Sequence, residues 1–429
     1  MTTTTMTPAA RIKAIFGGSA GNLVEWYDWY VYSAFSLYFA KVFFPKGDQT
    51  AELLNAAAVF AVGFLMRPIG AWVMGLYADR YGRKKALTTS VGLMCFGSLV
   101  IAIVPGYQTI GVAAPVILVI VRMLQGLSLG GEYGASATYL SEVASKKNRG
   151  FWASFQYVTL ISGQLIALAV LLVLQATMSD AALASWGWRI PFAIGAVLAV
   201  VVFWLRRNLH ETEQFKAETM APSERAKTMF LFVRHPKATL LVFGLTAGGS
   251  LAFYTYTTYI QKFLTNTAGF TKDQASQISA GALLVYMLLQ PVYGALSDRI
   301  GRRPLLVGFG VLGMLATWPI MTALGAARDP WIAFALSLTA LLIVSGYTSI
   351  AGLVKAEMFP VGVRALGVAL PYAVANSMFG GTAEYAALWF KNGGNESGFY
   401  IYVTIMIGVA LAAAVFMGDT RDTSLITED

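Results

Sequence analysis

The sequence predicts an all-α integral membrane protein with twelve transmembrane helices arranged as two pseudo-symmetric six-helix halves. Hydrophobic residues make up 57% of the 429-residue chain and charged residues only 12%, against about a quarter charged residues in a soluble domain. Apolar runs of roughly 20 residues, the length that crosses the hydrocarbon of a bilayer, recur along the whole chain. Two charged motifs also occur twice, half a chain apart.

The first repeated motif is GLYADRYGRKK at 75–85, which returns as GALSDRIGRR at 294–303. The second is a glutamate followed seven residues later by an arginine. Internal duplication of membrane segments is typical of secondary transporters, in which the substrate is handled between the two halves. The charged residues of the repeated motifs are Asp79 and Arg83, Asp298 and Arg302, Glu142 and Arg149, and Glu357 and Arg364.

The predicted spans are helices, because lipid offers no partner to an unpaired backbone amide. We place the N-terminal six-helix half at residues 1–205, a polar cytoplasmic loop at 206–237 and the C-terminal half at 238–429. The spans are placed at 17–43, 53–76, 86–104, 113–141, 151–177, 186–205, 238–264, 274–296, 304–324, 331–355, 362–390 and 398–418.

The basic residues orient the chain in the membrane. With both termini in the cytoplasm, most of the 31 Lys and Arg residues fall in cytoplasmic segments, as the positive-inside rule requires. The net charge of +9 therefore reflects topology and contact with anionic lipid headgroups, and its spread over many short loops argues against nucleic-acid binding. The opposite side keeps Lys41, Lys46, Arg189, Lys262, Lys272, Arg328 and Lys391.

Charged residues inside a span are costly and need both a partner and a function. Glu25 and Asp28 lie three residues apart on one face of the first helix. Two carboxylates this close in a low dielectric do not easily both ionise, so one is expected to carry a proton, as a proton-coupled carrier requires. The alternative is a fixed ion pair with an arginine. Glu132 is assigned to the same proton-coupling group or, alternatively, to the inner gate.

Arg122 lies at a depth similar to that of Asp28, and the two are expected to form an ion pair that breaks on protonation; the alternative is a permanent structural pair. Arg67 is the candidate for binding an anionic substrate, because arginine stays charged and its donors match a carboxylate. Alternatively, Arg67 pairs with Glu25. Neutral polar side chains of the spans either contact another helix or bind the substrate. We assign five of them to substrate binding, together with Arg67 and Arg122: Tyr157, Gln164, Tyr254, Tyr259 and Asn376.

The repeated charged motifs fall at cytoplasmic turns and are assigned to gating. Charge pairs that meet when this side closes and separate when it opens would bias alternating access. The alternative is that these charges only set the topology, but the positive-inside rule needs no acidic residue.

Several classes of activity are excluded by missing motifs. The chain has no G-x-x-x-x-G-K-[ST] phosphate-binding loop and no Cys/His cluster with metal-ligand spacing. Its two histidines, His210 and His235, both lie in the central loop. We therefore expect no enzymatic activity, no metal and no cofactor. We also expect protons to be the coupling ion and the chain to be a monomer.

The duplicated G-x-x-x-D-R-x-G-R motifs, the twelve spans and the long central loop resemble the major facilitator superfamily over the whole chain. The run GNLVEWYD at 21–28 resembles the first helix of its metabolite:H⁺ symporters. The segments at 153–160, 372–376 and 380–385 resemble those members of the family that carry α-ketoglutarate.

The resemblance implies proton-coupled uptake of a dicarboxylate, α-ketoglutarate, by alternating access across a bacterial inner membrane. One alternative is an H⁺ symporter for another metabolite, such as shikimate, citrate or an osmolyte. A second alternative, a transporter-like sensor, is disfavoured by the short segment after the last span.

Overall fold

The structure is a computed structural model that describes residues 8–45, 47–81, 83–130, 137–138, 140–141, 144, 146–207 and 234–426. The regular secondary structure in these ranges is helical. The long helices of the first half are α1 (Pro8–Phe43), α2 (Gln49–Tyr81), α3 (Arg83–Ile103), α4 (Ala113–Leu129), α5 (Phe155–Thr177) and α6 (Ile190–Arg207).

The second half contains two helices that are interrupted by π-helical turns. Helix α7 consists of Pro236–Tyr254, the π turn Thr255–Tyr259 and Ile260–Asn266. Four helices of the second half are uninterrupted: α8 (Lys272–Ile300), α9 (Arg302–Ala326), α10 (Pro330–Thr348) and α12 (Glu396–Phe416). Helix α11 consists of Val361–Ala375, the π turn Asn376–Gly380 and Ala383–Asn392. The short helices are Tyr107–Ile110, Lys146–Asn148, Arg149–Ala153, Asp180–Ser185, Gly187–Arg189, Ala351–Glu357 and Thr420–Thr423.

The described helices have the lengths and composition of membrane spans. Seven are long and apolar enough to cross a bilayer, and three shorter apolar stretches belong to α3, α4 and α6. Together with α1 and the interrupted α11 they account for the twelve predicted spans. Large apolar side chains such as Trp72, Leu240 and Phe416 point outward, as expected of a surface that faces lipid. These features confirm the predicted all-α membrane architecture.

The internal repeat is visible in the packing of the helices. In the first half α1 packs against α5, α2 against α4 and α3 against α6; in the second half α7 packs against α11, α8 against α10 and α9 against α12. Between the halves, α2 contacts α11 and α5 contacts α8, so each pairing recurs six helices later. The exact boundaries of the halves stay a prediction, because residues 208–233 of the central loop lie outside the described ranges.

Glycines allow α2 and α4 to approach each other closely. A Cβ atom built on Gly126 of α4 would lie 2.0 Å from the carbonyl oxygen of Gly63 in α2, and one on Gly130 would lie 2.2 Å from that of Arg67. Such contacts between small residues drive helix association in lipid, where no hydrophobic force brings the helices together. The contact also fixes the backbone that carries Arg67.

We predict that Gly126→Ala destabilises the protein, because its added methyl group must push α4 away from Gly63. Overpacking of this kind costs about 1–3 kcal/mol, which a lower melting temperature of the purified protein in detergent would report. Gly92→Ala is the matched control, since a Cβ there meets nothing within 4 Å and alanine favours a helix over glycine. Equal melting temperatures for the two variants would contradict this account of the α2–α4 contact.

Candidate functional site

Arg67 of α2 lies at the interface between the two halves. Its side chain is buried, and its guanidinium carbon lies 5.0 Å from the ring centroid of Trp26, 4.4 Å from that of Trp29 and 3.9 Å from that of Phe64. Aromatic faces attract a cation through their quadrupole, but they do not use its N–H donors. The hydroxyl of Tyr254 on α7 is a polar neighbour of the guanidinium. Arg67 is therefore held at the interface mainly by aromatic rings.

Several buried polar atoms near this interface have no hydrogen-bond partner in the described structure. Buried polar groups in proteins almost always have one, so each exception needs an explanation. Because they lie on both halves, they could accept a polar ligand bound between the halves. These atoms are Nε and Nη2 of Arg67, Oε1 of Gln164 and Oγ of Ser279.

The two π turns supply part of this polar surface. A π turn departs from the regular α-helical hydrogen-bond ladder and is common at functional sites. In α7, the backbone carbonyl of Thr257 accepts a hydrogen bond of 2.7 Å from Nε2 of Gln164 on α5. In α11, Asn376 is the first residue of the π turn, and its side chain neighbours the hydroxyl of Tyr254.

A small polar cavity lies next to these groups. Its volume is about 10 Å³, roughly the space of a single water molecule, so a larger ligand requires the two halves to separate. Residues that line it include Tyr30, Ser33, Gln164, Thr257, Gln261 and Ser279.

Two of the tyrosines assigned to substrate binding lie in different surroundings. Tyr157 of α5 packs edge-on against Phe253 of α7, with ring centroids 5.5 Å apart, and so lies at the interface. Tyr259 packs against Phe263 and Phe399 of its own half. The structure thus places Tyr259 beside Phe399 of α12 and not in the group around Arg67.

Asp28 and Arg122 do not form the direct ion pair that their depth predicts. Gln125 is inserted between them: its Oε1 accepts a hydrogen bond of 2.9 Å from Arg122, and its Nε2 donates one of 2.8 Å to Asp28. The Ser98 hydroxyl donates to the other carboxylate oxygen of Asp28. A neutral amide satisfies both charges at once, which explains why the direct pair is not needed. The position of Gln125 one helical turn after Arg122 was the signal for this bridge.

Arg122 belongs to the interior of the first half. It is fully buried, and its guanidinium carbon lies 3.9 Å from the ring centroid of Trp29 and 4.5 Å from that of Tyr32. Trp29 therefore contacts the guanidinium groups of both Arg67 and Arg122.

Glu25 and Asp28 face away from the interface. They share a cavity of about 10 Å³, which is enough for roughly one water molecule. Arg67 instead lies against Trp26 and Trp29, so the alternative pairing of Arg67 with Glu25 is disfavoured. The other residues that line the cavity belong to α1, α3 and α6: Val24, Val91, Met94, Ser98, Gly195 and Ala199.

Lys262 was predicted to lie in the span 238–264 with its charge on the outer side, but the structure buries it fully in α7. It forms a 3.1 Å ion pair with Glu384 of α11, and both residues contact Ser33 of α1. The predicted span 238–264 already contained Lys262, and this position was the sequence signal that its charge lies within the membrane.

The repeated motifs meet at the end of the bundle where α8 turns into α9, which we call the α8–α9 end. Asp298 of the second half accepts hydrogen bonds of 2.8 and 3.0 Å from the backbone amides of Gly150 and Phe151 in the first half. It also forms a 2.9 Å ion pair with Arg302, whose other nitrogen lies 3.6 Å from Glu357. The closed α8–α9 end is therefore joined by charge-assisted hydrogen bonds.

The second motif lies in the same network. Arg149 is buried and lies close enough to Glu357 for an electrostatic interaction. Glu357 also accepts a 2.6 Å hydrogen bond from Thr420, in the segment after α12. Arg364 donates hydrogen bonds to the carbonyls of Phe359 and Leu425. The segment after α12 thus closes over this end of the bundle.

The corresponding residues of the first half are described only in part. Glu132 and Glu142 lie outside the described residues. Asp79 belongs to the end of α2 and Arg83 begins α3, and their side chains also lie outside the description.

Sequence comparisons agree with the fold and with the repeat. Residues 14–237 and 214–428 each match the family described as "Sugar (and other) transporter". The chain is 59% identical to the α-ketoglutarate permease of Escherichia coli K12 over 407 residues, which cover 95% of this chain and 94% of the permease. It is 37% identical to a citrate-proton symporter of Salmonella typhi, over 97% of each chain.

The fold also matches solved transporters. The xylose transporter XylE of E. coli in a partially occluded, inward-open conformation superimposes with a TM-score of 0.73 at 20% identity, over 96% of this chain and 98% of that one. The chain therefore belongs to the sugar and metabolite transporter family of the major facilitator superfamily and is a multi-pass membrane transporter homologous to the α-ketoglutarate permease of E. coli.

Proposed function

We propose that this protein takes up α-ketoglutarate together with protons across a bacterial inner membrane, by alternating access and with both termini in the cytoplasm. The observation that carries the proposal is the guanidinium of Arg67, buried between the halves with unused donors. A carboxylate is the ligand that matches such donors. The 59% identity to an α-ketoglutarate permease supports this choice of substrate.

Proton coupling follows from the charge of the substrate. Moving one negative charge inward against a negative interior costs about 2.3 kcal/mol per 100 mV, and a dicarboxylate carries two such charges. Glu25 and Asp28 are two buried carboxylates that could carry the compensating protons. Glu132 is proposed as a further member of this group.

The two arginines have different roles in this proposal. Arg67 binds a substrate carboxylate at the interface, supported by Tyr254, Asn376, Gln164 and Tyr157. Arg122 senses the charge of Asp28 through Gln125. Protonation of Asp28 weakens its attraction for this bridge, and the shared contact with Trp29 passes the change to Arg67.

The repeated motifs are proposed to form the cytoplasmic gate. Asp298, Arg302, Glu357 and Arg149 are joined when this side is closed and separate when it opens. By the symmetry of the repeat, the same role is proposed for Asp79, Arg83, Glu142 and Arg364. Because one chain carries both halves of the site, we propose that a monomer suffices for transport.

We predict that proteoliposomes containing the protein accumulate radiolabelled α-ketoglutarate under an inward proton gradient and lose it when a protonophore is added. Unlabelled succinate should compete, whereas shikimate and betaine should not. Competition by citrate alone would instead favour the function of the 37%-identical citrate-proton symporter. No accumulation by folded protein would contradict the proposed function.

The Arg67→Gln variant tests whether Arg67 binds the substrate. Losing a hydrogen bond to a charged group costs about 1.5–3 kcal/mol, so the affinity for α-ketoglutarate should fall about tenfold or more. Arg328→Gln is the control, because the described hydrogen bonds of Arg328 go to the backbone carbonyls of Ala268, Gly325 and Ala327, away from the cavity. Unchanged affinity in folded Arg67→Gln would remove Arg67 from the substrate site.

We also predict that Asp298→Asn opens the α8–α9 end, because it weakens the bonds to Arg302, Gly150 and Phe151. The reporter is a cysteine at Ser154, a buried position near Gly294, introduced in a Cys95→Ser background and modified with a maleimide. The modification rate should rise about tenfold, the equivalent of one charge-assisted hydrogen bond.

The matched control for Asp298→Asn is Asp329→Asn, which removes a carboxylate that caps α10 at the opposite end. It should leave the modification rate unchanged. Equal rates in wild type and Asp298→Asn would show that Asp298 does not hold this end closed.

A further inference from the structure

The buried ion pair between Lys262 and Glu384 joins three helices across the interface. Nζ of Lys262 lies 3.1 Å from Oε2 of Glu384, and the Ser33 hydroxyl lies 2.9 Å from the same oxygen. Lys262 also donates a hydrogen bond to Ser33. All three side chains are at least 96% buried. Since Ser33 belongs to the first half and the other two to the second, the cluster ties the halves together.

This cluster borders the same cavity as the groups near Arg67. Ser33 lines the cavity together with Tyr30, and Tyr30 neighbours both Tyr254 and Arg67. Along α7, Tyr254 and Lys262 are eight residues apart, which is about 12 Å of helix rise. The interface cavity therefore lies between two buried cations, Arg67 on one side and Lys262 on the other.

We propose that Lys262 and Ser33 form a second carboxylate-binding position, which Glu384 occupies in the closed structure and which one carboxylate of the substrate takes in its place. This inference rests on the proposed function. A buried ammonium left without an anion is strongly destabilising, so Glu384 can leave Lys262 only when another carboxylate arrives. The exchange keeps the number of buried charge pairs constant.

The exchange explains how the transporter would select dicarboxylates. One carboxylate of the substrate binds Arg67, and only a substrate with a second carboxylate can displace Glu384 from Lys262. A monocarboxylate leaves the tie between Ser33, Lys262 and Glu384 in place. Only a substrate long enough to reach both Arg67 and Lys262 therefore releases the tie between the halves.

The test compares two ligands on the purified full-length protein by isothermal titration calorimetry. One ligand is α-ketoglutarate, and the other is 2-oxopentanoate, in which a methyl group replaces the distal carboxylate. In the wild type, α-ketoglutarate should bind about tenfold or more tightly than 2-oxopentanoate, the equivalent of one charge-assisted interaction. In Lys262→Gln this ratio should fall to about twofold, with little change in the affinity for 2-oxopentanoate.

Lys391→Gln is the matched control, because Lys391 forms an ion pair with Glu396 outside the cavity. It should keep the wild-type ratio. If Lys262→Gln weakens both ligands equally, the ion pair is only a structural tie and the inference is overturned. If the wild type binds neither ligand, the proposed function itself fails.

Glu384→Gln gives an independent test that does not depend on the folding of Lys262→Gln. Removing the competing carboxylate should raise the preference for α-ketoglutarate over 2-oxopentanoate several-fold. Glu396→Gln, which breaks the control ion pair from its acidic side, should leave the preference unchanged. A preference that stays constant or falls in Glu384→Gln would overturn the inference.

Discussion

The structure depends on how two buried arginines are kept in a bundle that faces lipid. Arg67 and Arg122 both contact the ring of Trp29, and neither forms a direct ion pair within the described residues. Aromatic faces stabilise a cation without using its hydrogen-bond donors. Donors on both arginines therefore remain available, and the tryptophan keeps the two centres in contact with each other.

Helix α1 separates the two tasks that a symporter must link. The face with Glu25 and Asp28 is turned toward α3 and α6, inside the first half, whereas Trp26 and Tyr30 are turned toward the interface with Arg67. The carboxylates proposed to bind protons and the rings that contact Arg67, the proposed substrate-binding arginine, thus share one helix without sharing a cavity. In the proposed mechanism, a change in charge on one face of α1 alters the contacts of the other face by moving the helix and Trp29, as packed interfaces with two arrangements allow.

The fold and the main charged groups could be predicted from the sequence, because intramembrane charges and a repeat at half the chain length stand out against apolar spans. The partners of those charges could not be predicted. The side-chain amide of Gln125 bridges Asp28 and Arg122, since it can accept from one and donate to the other. The similar depth of the two charges in the membrane does not distinguish such a bridge from a direct ion pair. Lys262 was misplaced for a related reason: a lysine near the end of a span can snorkel outward, and only the fold shows that Glu384 and Ser33 hold it inside.

The most direct test of this account is whether the binding of a dianionic substrate brings a proton to the pair on α1. The purified protein in weakly buffered detergent would be mixed with α-ketoglutarate while a pH-sensitive dye records the proton balance. We expect net proton uptake in the wild type and its loss in Glu25→Gln/Asp28→Asn while binding persists. The control is Glu52→Gln, which removes an acidic residue from the first turn of α2 and should keep the proton uptake. Undiminished proton uptake in the double variant would contradict the assignment of proton coupling to Glu25 and Asp28.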